Sequence, residues 1–335
     1  MNSMNKFDDA CSVLCDNLRK NLISIDPNIK NKVQEIRIRV NKPIIIVCAN
    51  ETLFLTCNGN LTNLANVSLL IVNKEDIVES FRRICSYSVY SYQNEIIQGY
   101  MTIKGGHRIG ICGTAVINSN YQISNIKDIS SLNIRIAREI KGIANNIISR
   151  LPCDNGLLLV GPPSCGKTTL LRDMARILSN GSCGYYRKVV VVDERGELSS
   201  TYMGVMQNDL GLSDVLNGYP KGIGMIQAIR CLSPDIIICD ELGSSQDILS
   251  INEGLNSGVS IISTIHARSI DELISRENIR NLIETNAFKN IVILKDRQNP
   301  GQVDSIYEVG EIYDEIDRLY ASNAIRDHNR IYGVA

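Results

Sequence analysis

Eight consecutive residues, Gly161, Pro162, Pro163, Ser164, Cys165, Gly166, Lys167 and Thr168, fit the phosphate-loop pattern G-x-x-x-x-G-K-[ST]. A loop with little side-chain bulk can turn its backbone N–H groups toward phosphate oxygens at a helix N-terminus, where the helix dipole also favours negative charge. Lys167 supplies a point charge for the β and γ phosphates. Thr168 offers a hydroxyl to Mg²⁺, and Thr169 completes the binding set. The competing reading, a glycine turn carrying a surface lysine, explains the surroundings poorly. Leu157 to Val160 reads as a buried strand, and the residues from Thr169 to Ala175 have the apolar spacing of a helix packed back on a sheet.

Carboxylates follow two further apolar runs. Asp240 and Glu241 come after DIIIC, where Asp240 would orient Mg²⁺ from the Thr168 side and Glu241 would polarise the attacking water. Asp193, Glu194 and Glu197 follow KVVVV, with Glu194 or Glu197 available as a second carboxylate on the water and Arg195 as an outward charge. Helix capping or a solvated turn is the alternative there. His266 ends the run VSIISTIH, placed to hydrogen-bond a γ phosphate or, on the plainer reading, to sit satisfied in the core.

Positioning these groups needs a parallel sheet. The runs at 156–160, 188–193, 235–240 and 259–266 are nearly continuous in apolar residues, as strands covered on both faces are, and ligands bind at the carboxyl ends of such strands. Residues 217–224, NGYPKGIG, read as a flexible loop. The chain ahead of this α/β region has another pattern. Phe7, Cys11, Leu14, Leu18 and Leu22 form a helical stripe; 35–40, 43–48 and 52–56 alternate as an antiparallel meander. A helix is expected near 75–86, a hairpin bent at Gly105 and Gly106 over 99–117, and a strand at 131–137. The expected organisation is a smaller α+β domain over 1–138, a linker helix over 139–155 and a nucleotide-triphosphatase domain over 156–335. Its tail, from about Glu311, has helical spacing.

With 335 residues, 44% of them hydrophobic, the chain can bury two domain cores. A net charge of -1 sets up no global basic field for nucleic acid or an anionic membrane. No apolar run approaches the roughly 18 residues of a membrane span, and the start lacks a basic segment followed by an apolar one. Eleven cysteines, an odd number without a C-x-x-C pair, argue for a reducing cytosol and against zinc.

Together GPPSCGKTT, VVDERGE, AIRCLSPDIIICDELG and STIHA resemble the four boxes of type II and type IV secretion ATPases, in the same order. In the amino-terminal half, GYMTIKGGHRIGICG and DISSLNIRIARE resemble the stage III sporulation protein AA family of endospore-forming bacteria. The resemblance implies a RecA-like P-loop core, ATP with Mg²⁺, and a homo-oligomer, expected to be a hexameric ring. It also implies an integral membrane component of a secretion-like channel between mother cell and forespore as partner. The chain would then be cytoplasmic and peripheral at the inner face of a membrane on the mother-cell side. In such rings a neighbouring subunit's arginine stabilises the transition state; Arg135 and Arg138 are the preferred candidates and Arg108 a third, with local ion pairing as the alternative.

There are departures from the pattern. Glu241 is followed by Leu242, Gly243 and Ser244, so the arginine and acid usual at that point have no counterpart. The first acidic box reads Asp193-Glu194-Arg195-Gly196-Glu197, which leaves the base open between Glu194, Glu197 and Glu241. The cysteine-rich zinc module of many type II members is missing. Two other readings compete: a nucleic-acid translocase, opposed by the acidity and the lack of a basic, aromatic-interleaved stripe, and a nucleotide-gated scaffold with negligible turnover.

Overall fold

Alternation of apolar and polar residues builds the first of two sheets. The computed structural model describes residues 6–64, 67–182, 184–243 and 245–313. The chain divides into one unit of residues 1–138 with 200–207 and a second of 139–199 with 208–335.

In the first unit β1 (Val33–Arg39), β2 (Ile45–Cys48), β3 (Thr52–Leu55), β4 (Leu61–Thr62), β5 (Tyr100–Thr102), β6 (Arg108–Ile117) and β7 (Ile123–Arg135) pair antiparallel in the order β4-β3-β2-β1-β7-β6-β5. Ile36 and Ile38 of β1 point into the core while Arg37 and Arg39 stay half-exposed, the period-two signature of a sheet with one buried face. The amino-terminal stripe is buried as expected, but on two helices, α1 (Lys6–Cys11) and α2 (Asp16–Ile23); Cys15 between them donates its N–H to Ser80 Oγ at 3.0 Å. Among the described residues three further α-helices follow in this unit, α3 (Pro27–Lys30), α4 (Lys74–Ile84) and α5 (Gln93–Ile97). The hairpin turns at Gly105 and Gly106, and β7 begins eight residues earlier than the strand expected from Ser131, because its polar first half pairs with β6.

The linker expected to be one helix over 139–155 is not. Glu139 accepts the Asp209 N–H at 2.6 Å and Lys141 pairs with the Asp209 carboxylate, which holds the start of the segment extended. Only α6 (Asn145–Ile148) is α-helical, with a short 3-10 turn at Cys153–Asn155, and Ala144 gives its N–H to Asp173 Oδ2 at 2.9 Å.

The second sheet contains β8 (Leu157–Val160), β9 (Val189–Asp193), β10 (Asp214–Asn217), β11 (Ile236–Cys239), β12 (Ser260–Ile265), β13 (Asn290–Leu294) and β14 (Val303–Glu308). Their order is β10-β9-β11-β12-β8-β13-β14, parallel except for the edge strand β14. The continuous apolar runs have a direct cause. Leu157, Leu159, Val189, Val191, Ile236 and Ile238 enter one core with α7 (Lys167–Ser179). The alternate residues, Leu158, Val160, Val190, Val192, Ile237 and Cys239, enter another with α8 (Lys221–Leu232), α9 (Ser245–Asn256), α10 (Ile270–Ser275) and α11 (Glu277–Glu284). The molecule is thus α/β, a parallel-sheet RecA-like core in one unit and a smaller α+β unit ahead of it. Residues 217–224 are not a flexible loop: β10 ends at Asn217 and α8 starts at Lys221. The helical tail expected from about Glu311 lies, from residue 314 on, outside the described residues.

Candidate functional site

The phosphate loop leaves β8 and enters α7, a helix of 13 residues. Ser164 and Gly166 take left-handed backbone angles, φ 64° and 96°. A Cβ on Gly166 would stand 2.7 Å from Gly301 N, so glycine is required there by crowding as well as by φ. Gly301 N–H in turn donates to Cys165 O at 2.7 Å, pinning the loop from the turn between β13 and β14.

Strand pairing brings the motifs together. Ile265 of β12 lies opposite Val160 of β8, so His266 emerges beside the loop. Lys167 Nζ donates to Gly161 O at 2.7 Å and Pro162 O at 2.9 Å, and meets His266 Nδ1 at 3.0 Å. Burial of the Lys167 amine pulls its pKa below the usual lysine value, an effect opposed by the nearby Cys165, Asp240 and Glu241. Thr168 Oγ1 donates to Asp240 Oδ2 at 2.8 Å. The other Asp240 oxygen accepts from Thr264 Oγ1, and that same hydroxyl accepts the Glu241 N–H at 2.9 Å. Pro163 and Ser164 are exposed, Pro162 and Thr169 half-buried, and Cys165 buried.

Glu241 has φ 53°, its carbonyl accepts from Lys221 Nζ, and its carboxylate meets Arg195 Nη1 at 2.9 Å and His266 Nε2 at 3.7 Å. Glu194 faces Lys221 Nζ at 3.6 Å. Asp193 is consumed by its own turn: its carboxylate accepts the N–H groups of Glu197, Leu198 and Ser199 and the Ser199 hydroxyl, at 2.6 to 3.1 Å. Arg172 braces that turn by donating to Glu197 O at 2.8 and 3.1 Å. As a result Glu194, Glu197, Asp240 and Glu241 line one small cavity. Glu194, Lys221, Glu241, His266 and Arg276 also line an open cleft of about 770 Å³.

These residues fit a triphosphate and its Mg²⁺. The loop has no room for a side chain at Gly166, and Thr168 and Asp240 present the hard oxygen donors that Mg²⁺ takes. Arg135 and Arg138 belong to the other unit. Arg135 is exposed at the end of β7, in register with Glu35 and Arg108. Arg138 donates to Val33 O at 2.8 Å and Lys30 O at 3.5 Å. The sequence reading missed Lys221 and Arg172. A signal for the first existed: Pro220 precedes apolar residues at Ile223, Ile226 and Ile229, a helical spacing.

Three comparisons bear on identity. Residues 4–312 match the family described as Sporulation stage III, protein AA. Stage III sporulation protein AA of Bacillus subtilis (strain 168) is 35% identical over 306 residues, 90% of this chain and 95% of that one. Among solved structures, the Yersinia pseudotuberculosis ATPase DotB aligns with a TM-score of 0.52 at 17% identity, over 83% of this chain and 74% of its own. The pilus retraction motor PilT, solved with bound ADP, aligns at 0.50 and 13%, over 78% and 74%. At those identities the two structures speak for the fold alone. Among the described residues, no helix is long and apolar enough to cross a membrane. By the family match and the 35% identity, the chain belongs to the stage III sporulation protein AA family.

Proposed function

We propose that this chain is an ATP-hydrolysing motor, working as a homo-hexamer at the cytoplasmic face of a membrane. Its work is delivered to an integral membrane component of a secretion-like channel between mother cell and forespore. The observation that carries the reading is the Thr168–Asp240 hydrogen bond, which joins the phosphate loop of β8 to the acidic pair after β11 at one point, with Glu241 and His266 alongside. The loop N–H groups from Ser164 to Thr169 and the Lys167 ammonium bind the phosphates. Thr168 and Asp240 hold Mg²⁺, which when bound neutralises charge on the phosphate oxygens. Glu241 orients the attacking water and accepts its proton, with Glu194 and Glu197 as the carboxylates able to share that task. His266 sits between Lys167 and Glu241, placed to read the end of the phosphate chain. Arg135, exposed on its own unit, supplies the charge to a neighbouring subunit; Arg138 is the second candidate.

The test is Mg²⁺-dependent ATP turnover per subunit against protein concentration, with Lys167→Ala as the blank. A rate that rises steeply with concentration supports sites completed between subunits. Turnover at the blank level, together with no nucleotide binding by the unaltered chain, overturns the reading.

A further inference from the structure

We propose that Lys221 is a positioning residue for Glu241, holding the turn after β11 in the conformation that turns the Glu241 carboxylate to the cleft. The inference rests on the reading of Glu241 as the residue that acts on water.

Glu241 lies in the left-handed region at φ 53°, which a residue with a Cβ keeps only where its neighbours over-determine it. Two side chains do so. Thr264 Oγ1 accepts the Glu241 N–H at 2.9 Å, while Lys221 Nζ donates to the Glu241 carbonyl. The next residue is tied down as well, since Leu242 N–H donates to Thr264 O at 2.9 Å. Arg195 Nη1 meets the Glu241 carboxylate at 2.9 Å, whereas Lys221 reaches the backbone carbonyl.

The root of Lys221 is itself immobilised. It is the first residue of α8, and two glycines let that helix seat closely. A Cβ at Gly224 would stand 2.5 Å from Val192 Cγ1 of β9, and one at Gly222 would stand 2.7 Å from Ser250 Oγ of α9. The side chain is only 16% exposed, and its ammonium also stands 3.6 Å from Glu194 Oε2. One half-buried charge therefore ties the acidic turn after β9 to the strained turn after β11. A neutral residue of the same length would keep the packing and lose both ties.

The experiment compares the unaltered full chain with Lys221→Met and Lys221→Arg by amide hydrogen exchange, before any nucleotide is added. The expected result is exchange about tenfold faster at Glu241, Leu242 and Gly243 in Lys221→Met, and within about threefold of the unaltered chain in Lys221→Arg. Peptides from β9 and α8 should be unchanged in both. Unchanged exchange at 241–243 in Lys221→Met overturns the inference. Faster exchange that spreads through α8 and β9 also overturns it, by making Lys221 a residue of the fold at large. ATP turnover and the affinity for a fluorescent ATP analogue are then measured. For Lys221→Met a kcat lower by about tenfold with affinity within about twofold is expected. Loss of affinity instead would make Lys221 a binding residue and overturn the positioning role. Absence of turnover in the unaltered chain would count against the proposed function, while the exchange result would still decide the role of Lys221.

Discussion

Lys167 Nζ and His266 Nδ1 stand 3.0 Å apart. An ammonium only donates, so Nδ1 presents its lone pair and the ring hydrogen is assigned to Nε2, the nitrogen that faces Glu241 Oε1 at 3.7 Å. The histidine thus stands between the phosphate-loop lysine and the carboxylate proposed to act on water. His266→Ala is expected to lower turnover by about a hundredfold, in the range of lost positioned proton-transfer groups. His266→Asn keeps an acceptor for Lys167 and should retain part of the activity. Because the ring is 42% exposed, neither variant should lose much stability. Turnover measured alongside a thermal melt checks this; unfolding with unchanged turnover per folded molecule would reduce His266 to a packing residue.

Thr264 is fully buried and its hydroxyl serves both acidic residues, donating to Asp240 and accepting from the Glu241 N–H. Thr264→Val keeps the shape and removes both bonds. Leaving the partly buried Glu241 N–H and one Asp240 carboxylate oxygen short of partners is expected to cost about 1–3 kcal/mol. Urea unfolding would show it as a lower midpoint with an unchanged slope. A midpoint equal to that of the unaltered chain would mean that the turn re-pairs without the hydroxyl.

The two arginines put forward for a neighbouring site should separate cleanly. Arg138 uses its guanidinium on the carbonyls of Val33 and Lys30, so Arg138→Ala is expected to lower the melting temperature of the first unit. Arg135 is exposed, and Arg135→Ala should leave the melt unchanged while reducing turnover by about a thousandfold, the order reported for arginines that act in trans. Mixing Arg135→Ala with Lys167→Ala chains provides the check. Recovery of activity in mixed assemblies requires one chain's arginine to complete another's site, and no recovery would leave Arg135 without that role.

The parts of the site on buried parallel strands were readable because covering both faces of a strand leaves an uninterrupted apolar run, and the phosphate loop, Asp240–Glu241 and His266 each follow such a run. Asn290–Leu294 carries the same signature, NIVIL, and was equally readable although it was not assigned. The edge strands β10, DVLN, and β14, VDSIYE, were not, since an edge position mixes polar and apolar residues freely. Lys221 was hidden for a different reason. Glycine and proline in NGYPKGIG suggest a loop by composition, yet Gly222 and Gly224 serve close helix packing against Ser250 and Val192. Asp193 stands beside Glu194 in the same motif, and only the three-dimensional turn separates a carboxylate spent on backbone N–H groups from one that faces the cleft.

Cysteine chemistry should follow burial closely enough to report on the core. Burial raises the thiols of Cys11 and Cys239 from 9.0 to about 12, and raises that of Cys165 in the phosphate loop as well, whereas Cys57, Cys112 and Cys231 are exposed. Iodoacetamide at pH 8 is therefore expected to modify Cys57, Cys112 and Cys231 and to spare Cys11, Cys165 and Cys239, as peptide mass mapping would read. The stability consequence has a definite sign. A folded pKa above the unfolded value means the contribution is intact below about pH 9 and declines as pH rises toward 12, because the unfolded chain releases its proton first. The urea midpoint should fall between pH 8 and pH 10, and Cys11→Ala with Cys239→Ala should flatten that fall. Labelling of Cys239 as fast as Cys231 would mean that β11 opens far more often than a strand buried on both faces allows, and would remove the rigid support on which Asp240 and Glu241 are placed.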